Sequence, residues 1–368
     1  MACGDCIQHS IGSVEFFKTL FPDGRGAQAL PISGSFEITL RCNVRCKHCY
    51  ILYPGATDGE MSTADCKRIL DKLSDAGVVF LLLTGGEVFV RPDFKELYLY
   101  AKQRGLILSL YSNATLIDED MAAFLREYPP RKVEVTIYGH TEATYEAVTG
   151  VRGSFKRFRR GVELMLAYGV PLSLKTILLK TNQHEFEAMR DWVEALGLPF
   201  RYDTNVNPKI DHDPSPLAER LSPQEVVRIE QLGPHAAERI AQVRESIQRV
   251  MGQPSREDLF TCGSGIRTFH VDPRGLLHPC MLWRENPYDL LHRELDENWR
   301  RHLHELRGQR NPDGGCTSCS NRGTCMRCPA QSLLERKDPT KNIPYHCEVS
   351  QERRRVFGEP ISSQFEVV

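Results

Sequence analysis

The feature that most narrows the choice of fold is an alternation of short apolar runs with amphipathic ones across residues 36–204. The runs Phe36–Leu40, Val78–Leu83, Ile107–Tyr111, Val133–Tyr138, Leu172–Leu178 and Phe200–Thr204 have the length and aliphatic content of strands. Between them, helical spacing of apolar residues predicts helices over Thr63–Ala76, Pro92–Arg104, Asp118–Glu127, Ser154–Tyr168 and His184–Leu196. Ser62 precedes the first helix and Asp118 with Glu119 heads the third, placing side-chain acceptors where helix N–H groups lack partners. Gly77, Gly105, Gly169 and Gly197 each stand between a helix and the next strand, where a left-handed residue ends the helix. Strand, helix, strand at this spacing predicts parallel β/α units with right-handed crossovers, so the carboxyl ends of the strands share one side, the side that binds ligands. Six such units are too few to close an eight-stranded barrel, and the expected α/β fold is an open partial barrel or an open parallel sheet.

The pattern stops after Thr204. Residues 205–223 hold Pro208, Pro214, Pro216 and Pro223 and read as a linker, and Gln224–Met251 reads as one or two charged amphipathic helices. From Cys262 onward regular periodicity fades and Gly, Pro and Cys take over, so this part needs a staple other than an apolar core, such as bound metal. The expected divisions are an extension over 1–34, the barrel over 35–205, linker and helices over 206–255, a cysteine-rich domain over 256–350 and a tail over 351–368.

Thirteen cysteines are the second constraint. Three lie between Cys42 and Cys49 and seven between Cys262 and Cys347, leaving only Cys3, Cys6 and Cys66 outside the groups. The N-terminus lacks a basic segment followed by an apolar one, and no apolar run approaches the ~20 residues that cross a bilayer. A cytoplasmic location is therefore expected, where such clustering reads as metal or redox chemistry rather than disulfides. A formal net charge of −1 gives no global attraction to nucleic acid or anionic membrane.

Directly after the first strand run, Cys42, Cys46 and Cys49 form C-x3-C-x2-C. Three thiolates on one loop can hold three irons of a cubane and leave the fourth open to a chelating cosubstrate. The competing reading is structural zinc, with His48 or Cys66 as a fourth ligand. Thr84-Gly85-Gly86-Glu87 ends the second strand run: the glycines permit close backbone approach to a ligand, and Glu87 can pair with an ammonium group. Ser112-Asn113-Ala114-Thr115 ends the third with small polar groups suited to a ribose.

In this order and strand context, the three segments resemble the radical S-adenosylmethionine (SAM) superfamily. The resemblance implies a partial (β/α)6 TIM barrel in which Cys42, Cys46 and Cys49 ligate a 4Fe–4S cluster. It further implies that Gly85, Gly86 and Glu87 receive the SAM amino group, and that Ser112 and Asn113 lie near its ribose or carboxylate. His48 takes a usually aromatic position beside the adenine, and Thr136 a place where many members have Ser near the cofactor. Many relatives carry Arg before a Gly-x-x-Gly-Ser-Phe segment, where this chain has Thr149, with Arg152 three residues later.

The C-terminal pattern Cys262-x12-Gly275-x4-Cys280, Cys316-x2-Cys319-x5-Cys325-x2-Cys328, Cys347 resembles the SPASM domain of peptide-modifying radical SAM enzymes. Relatives more often have three residues where Cys325 and Cys328 are separated by two. The resemblance implies two auxiliary Fe–S clusters, one held by Cys316, Cys319, Cys325 and Cys347, the other by Cys262, Cys280 and Cys328. One iron of the latter would be open, or bound by water, Asp258, Cys3 or Cys6. The alternative is a pair of zinc knuckles.

Other candidates have plainer readings. Cys3 and Cys6 form a C-x2-C that is either incidental or a redox pair, and Cys66 reads as a small core residue. Arg152, Lys156, Arg157, Arg159 and Arg160 form a basic run that reads as a solvated helix face, with guidance of an acidic leader peptide as the alternative. Tyr138, Trp283 and Tyr288 are equally compatible with a substrate cavity and with core packing.

The resemblance implies reductive SAM cleavage to a 5′-deoxyadenosyl radical that abstracts hydrogen from a substrate, most readily a ribosomal peptide, to form a thioether or carbon–carbon crosslink. Expected partners are a one-electron reductant such as flavodoxin or ferredoxin and a separate leader-peptide-binding protein. Oxidation or rearrangement of a small molecule is the alternative. Formylglycine-type maturation of a protein is disfavoured because Met281 follows Cys280 where those activators have a catalytic Asp. No residue is marked as the catalytic acid or base.

Overall fold

The computed structural model describes residues 32–51, 57–233, 236–250, 258–266, 268–310, 316, 319, 321–325 and 327–358. Six strands come first: β1 (Ser33–Thr39), β2 (Phe80–Gly85), β3 (Ile107–Ser112), β4 (Lys132–Thr136), β5 (Leu172–Ile177) and β6 (Phe200–Asp203). Interleaved with them are α1 (Thr63–Asp75), α2 (Phe94–Gln103), α3 (Glu119–Glu127), α4 (Glu142–Thr149), α5 (Ser154–Ala167) and α6 (Phe186–Ala195). Each strand pairs in parallel with the next, giving the open sheet expected from the periodicity.

One face of the sheet is apolar and packed against the helices. Phe36, Ile38, Leu81, Leu83, Leu108, Leu110, Val133 and Val135 share a single buried core with Ile69, Leu70 and Leu73 of α1 and Leu97 and Tyr98 of α2. Each such side chain contributes about 1.5–3 kcal/mol on burial. Helix α1 starts as expected at Ser62, which accepts from the Asp65 N–H while the Asp65 carboxylate accepts from Ser62 N–H. The four helix-ending glycines, Gly77, Gly105, Gly169 and Gly197, are all left-handed.

The sheet does not end at β1. Strand β7 (Thr268–Val271) pairs in parallel with β1, and β8 (Leu276–His278) and β9 (Tyr288–Asp289) continue antiparallel from it. The result is one nine-stranded sheet in the order β6-β5-β4-β3-β2-β1-β7-β8-β9. Short strands, too brief to show alternation, extend the sheet of the barrel, and α9 (Glu297–Arg307), α10 (Pro329–Arg336) and α11 (Pro344–Phe357) follow them. The helices expected in 224–251 are α7 (Pro223–Leu232) and α8 (Ala236–Val250). The expected start of a tail at residue 351 falls inside α11.

A second, smaller core of Leu259, Phe260, Trp283, Leu306, Ala330 and Leu333 packs against Cys280 and Cys328. Trp283 therefore belongs to this core. Tyr288 lies in the main one, its hydroxyl donating to the Glu294 carbonyl at 2.7 Å.

Candidate functional site

The cysteine loop leaves the carboxyl end of β1 and is tied down at its start and in its middle. At its start, Glu60 accepts from Leu40 N–H (2.7 Å) and Thr39 Oγ1 (2.9 Å) and meets Arg41 Nε (3.2 Å). In its middle, Arg45 N–H and Lys47 N–H donate to the carbonyls of Thr149 (2.8 Å) and Val148 (3.0 Å). Those are the last carbonyls of α4, which have no partner inside their own helix. Helix α4 went unnoticed in the periodicity, although Thr141 ahead of Glu142 is a readable N-cap. Thr149 thus caps the loop through its backbone, while its hydroxyl bonds Ser154 Oγ at 2.7 Å.

Gly85 and Gly86 serve this same loop. Gly85 has φ +137°, and a Cβ there would sit 1.9 Å from the Thr39 carbonyl oxygen. A Cβ on Gly86 would meet the Arg41 oxygen at 2.3 Å. Gly86 N–H and Glu87 N–H donate to those two carbonyls, each at 2.9 Å. The close approach that both glycines permit is to the backbone that launches the cysteine loop.

Glu87 is fully buried. It accepts from Ser112 Oγ at 2.9 Å and Asn113 N–H at 2.7 Å. Burial pushes its carboxyl up to about 7, against the pull of those donors and of Phe89 N–H. Asn113 in turn donates from Nδ2 to Asn43 Oδ1 (3.0 Å) and lies 3.8 Å from Cys42 Sγ, and Asn43 Nδ2 donates to Thr115 Oγ1 (2.7 Å). The ends of β2 and β3 and the cysteine loop are thereby one hydrogen-bonded assembly, and Ala114 within it holds a left-handed φ of +61°. Thr136 is half-buried at the end of β4.

Burial pushes the Cys42 thiol up to about 12 and the Cys46 thiol well above its ordinary value, and the loop thiols, coupled to one another, raise each other further. Buried thiols in this state lose their protons only if a cation replaces them, which a cluster of iron ions does. Among the described residues no three His, Cys, Asp or Glu side chains converge as the ligands of a single ion. Cys66 is fully buried in the main core, with Arg91, Asp93, Asp65 and Glu60 as its charged neighbours. Three soft thiolates on one loop suit an iron–sulfur cluster by their chemistry. His48 is buried with its ring 5.3 Å from that of Tyr138 and its Nδ1 without a partner. Burial pushes it down to about 4, so it is neutral at pH 7.

The C-terminal thiols fall into two groups. Cys316, Cys319, Cys325 and Cys347 influence one another electrostatically, and burial with these neighbours pushes Cys325 up to about 11. Cys262, Cys280 and Cys328 form the other group, with Cys280 and Cys328 raised by burial. Asp258 bonds Arg310 Nη1 at 3.2 Å, and Cys3 and Cys6 lie outside the described residues. Met281 accepts from the Tyr50 hydroxyl at 3.2 Å, so the residues following Cys49 and Cys280 touch. A second bond joins the same segments: Arg284 Nη2 donates to Glu37 Oε2 at 3.0 Å. The basic run on α5 is a solvated face, with Arg160 paired to Glu119 (3.0 Å) and Arg159 over the Trp192 ring.

Comparison with known proteins agrees with this geometry. Residues 36–193 match the model of the radical SAM superfamily. The AdoMet-dependent heme synthase of Nitratidesulfovibrio vulgaris is 30% identical over 164 residues, covering 44% of this chain and 45% of that protein. The chain thus spans less than half the length of that relative. A protein of the same name from Methanosarcina barkeri is 25% identical over 338 residues, covering 84% of this chain and 95% of its own. The subtilosin biosynthesis protein AlbA of Bacillus subtilis is 25% identical over 271 residues, 72% of this chain and 58% of that one. In fold, the chain resembles Streptococcus suis SuiB, solved with precursor peptide SuiA, at TM-score 0.66 and 15% identity, covering 88% of this chain and 77% of that one. The cysteine loop and the Glu87 assembly both lie inside the matched span, so residues 36–193 are a radical SAM domain.

Proposed function

We propose that the chain cleaves SAM reductively at a 4Fe–4S cluster held by Cys42, Cys46 and Cys49, and modifies a ribosomally made peptide with the help of two auxiliary clusters. The observation that carries the SAM site is the buried assembly of cysteine loop, Glu87 and Asn113. Bound there, the cluster supplies the electron that splits SAM into methionine and a 5′-deoxyadenosyl radical able to take a substrate hydrogen. The protein's own part is positional. Glu60 and the end of α4 hold the loop, Glu87 offers a carboxylate to the SAM ammonium, and neutral His48 presents a flat apolar face to the adenine. Cys316, Cys319, Cys325 and Cys347 would hold one auxiliary cluster, and Cys262, Cys280 and Cys328 the other.

The seven-cysteine pattern and the likeness to AlbA support a peptide substrate. A tetrapyrrole is the second reading, favoured by the heme synthase that aligns over 95% of its length. The test is anaerobic reconstitution with iron and sulfide, followed by dithionite and SAM. Release of 5′-deoxyadenosine is expected, and zinc-filled protein that leaves SAM intact would refute the reading. Loss of two hydrogens from a co-incubated precursor peptide identifies the peptide class.

A further inference from the structure

Two groups of charged side chains stand on the inner face of the sheet, the face opposite the helices, and they differ in balance. On β1, Glu37 is buried and met by Arg284 (3.0 Å) and His270 (3.2 Å), one full cation to one carboxylate. On β4–β6, a single buried carboxylate, Glu134, is met by three cations. Lys132 Nζ and Lys175 Nζ each lie 3.0 Å away, and Arg201 adds Nε at 3.0 Å together with a second, shorter bond from Nη2. Strand register explains the grouping: Tyr111 pairs with Glu134, Thr136 with Lys175, and Lys175 with Arg201. These positions alternate with Val133, Val135 and Leu174 of the helix-facing core, so their side chains point the other way.

We propose that Lys132, Lys175 and Arg201 form a binding site for a carboxylate of the substrate, with Glu134 holding the three cations in place.

Four donors already fill the two oxygens of Glu134, yet the three cations carry more N–H groups than that carboxylate can accept. Arg201 spends one more on Tyr111 Oη (3.1 Å), and the Lys175 ammonium lies 3.1 Å from the centre of the Tyr111 ring. A second acid acting on Arg201 is Asp203 on the same face of β6, where it accepts from Asn205 N–H at 2.9 Å. Counting Asp203, the patch is still net positive. Burial pushes Lys175 down to about 8, against the pull of Glu134. The patch is also reachable, since the side chains of Arg201 and Lys132 are 52% and 41% exposed. Lys175 pairs with Thr136 at the carboxyl end of β4, while Lys132 opens that strand, so the patch runs along the inner face toward the strand ends where the SAM site is placed, and a carboxylate bound at Lys175 and Arg201 would anchor the substrate within the barrel.

The site rests on the proposed function only in taking the inner face as the substrate's side, and it is tested by binding rather than turnover. Two probe pairs are titrated against the full-length reconstituted protein: coproporphyrin III against its tetramethyl ester, and a Gly/Ser decapeptide with one central Glu against its Gln counterpart. One carboxylate form is expected to bind more tightly than its neutral partner, and which pair responds tells whether the carboxylate belongs to a tetrapyrrole or a peptide. Arg201→Gln and Lys175→Met should each weaken that binding by about ten- to a hundredfold, the value of a charge-assisted hydrogen bond, and leave the neutral form unchanged. Glu134→Gln should act in the opposite sense and tighten it, because three cations lose their internal partner. A purely structural brace would give no carboxylate preference in either pair and no opposed effect of Glu134→Gln and Arg201→Gln; that result overturns the site. Protein that cleaves SAM without such a preference loses the site and keeps the function, and the converse result does the reverse.

Discussion

Two buried carboxylates behave oppositely because their surroundings do. Glu87 has hydrogen-bond donors and no cation, so burial wins and its carboxyl sits near 7. A carboxyl raised above its unfolded value costs stability once ionised, and that cost grows as pH rises from about 4.5 to about 7. In the proposed SAM site it would meet the ammonium, which needs the ionised form. SAM affinity is therefore expected to fall as pH drops through about 7, and Glu87→Gln should flatten that dependence while weakening binding about tenfold at pH 8; titration calorimetry across pH 5.5–8.5 reads both. Glu37 is the contrasting case. Burial would raise it, but Arg284 and His270 prevail and hold it at about 2. Its stabilisation is present above about pH 4.5 and is lost as pH falls toward 2. Glu37→Gln should cost on the order of 3 kcal/mol at pH 7 and make denaturant stability less sensitive to acid below 4.5.

Among elements, the six β/α strands and five of the flanking helices were readable because each buries one face and shows it in its apolar spacing. Helix α4 spans only eight residues, Glu142–Thr149, too few turns to display a stripe, so the element that grips the cysteine loop went unseen. Strands β7–β9 are shorter still, and β7 joins β1 across more than two hundred residues of chain, a pairing that no local pattern encodes. Gly85 and Gly86 stood out in the sequence, but only three-dimensional structure tells which backbone comes close to them. Glu60 had no signal at all, being an ordinary acid in a turn until the loop start folds against it. Gly86→Ala, which drives a methyl against the Arg41 carbonyl, is expected to cost more than 2 kcal/mol and to lower the iron bound per protein after reconstitution. Gly105→Ala, where a Cβ meets nothing within 4 Å, is the control: it should carry only the left-handed backbone cost and keep full iron binding.

For the whole molecule, the cysteine groups were legible as groups, while their mutual placement was not. Tyr50 meeting Met281 and Glu37 meeting Arg284 join the segment around Cys42–Cys49 to the one after Cys280. The shared sheet has a practical outcome for anyone who would study the catalytic half alone. Cutting the chain after residue 255 removes β7 and strips β1 of a neighbour on one side, baring a row of backbone donors and acceptors beside Phe36 and Ile38. Such a fragment should self-associate in light scattering and fail to load iron, whereas the uncut chain stays dispersed. Iron loading in the front half is therefore expected to require the β7 strand contributed by the back half.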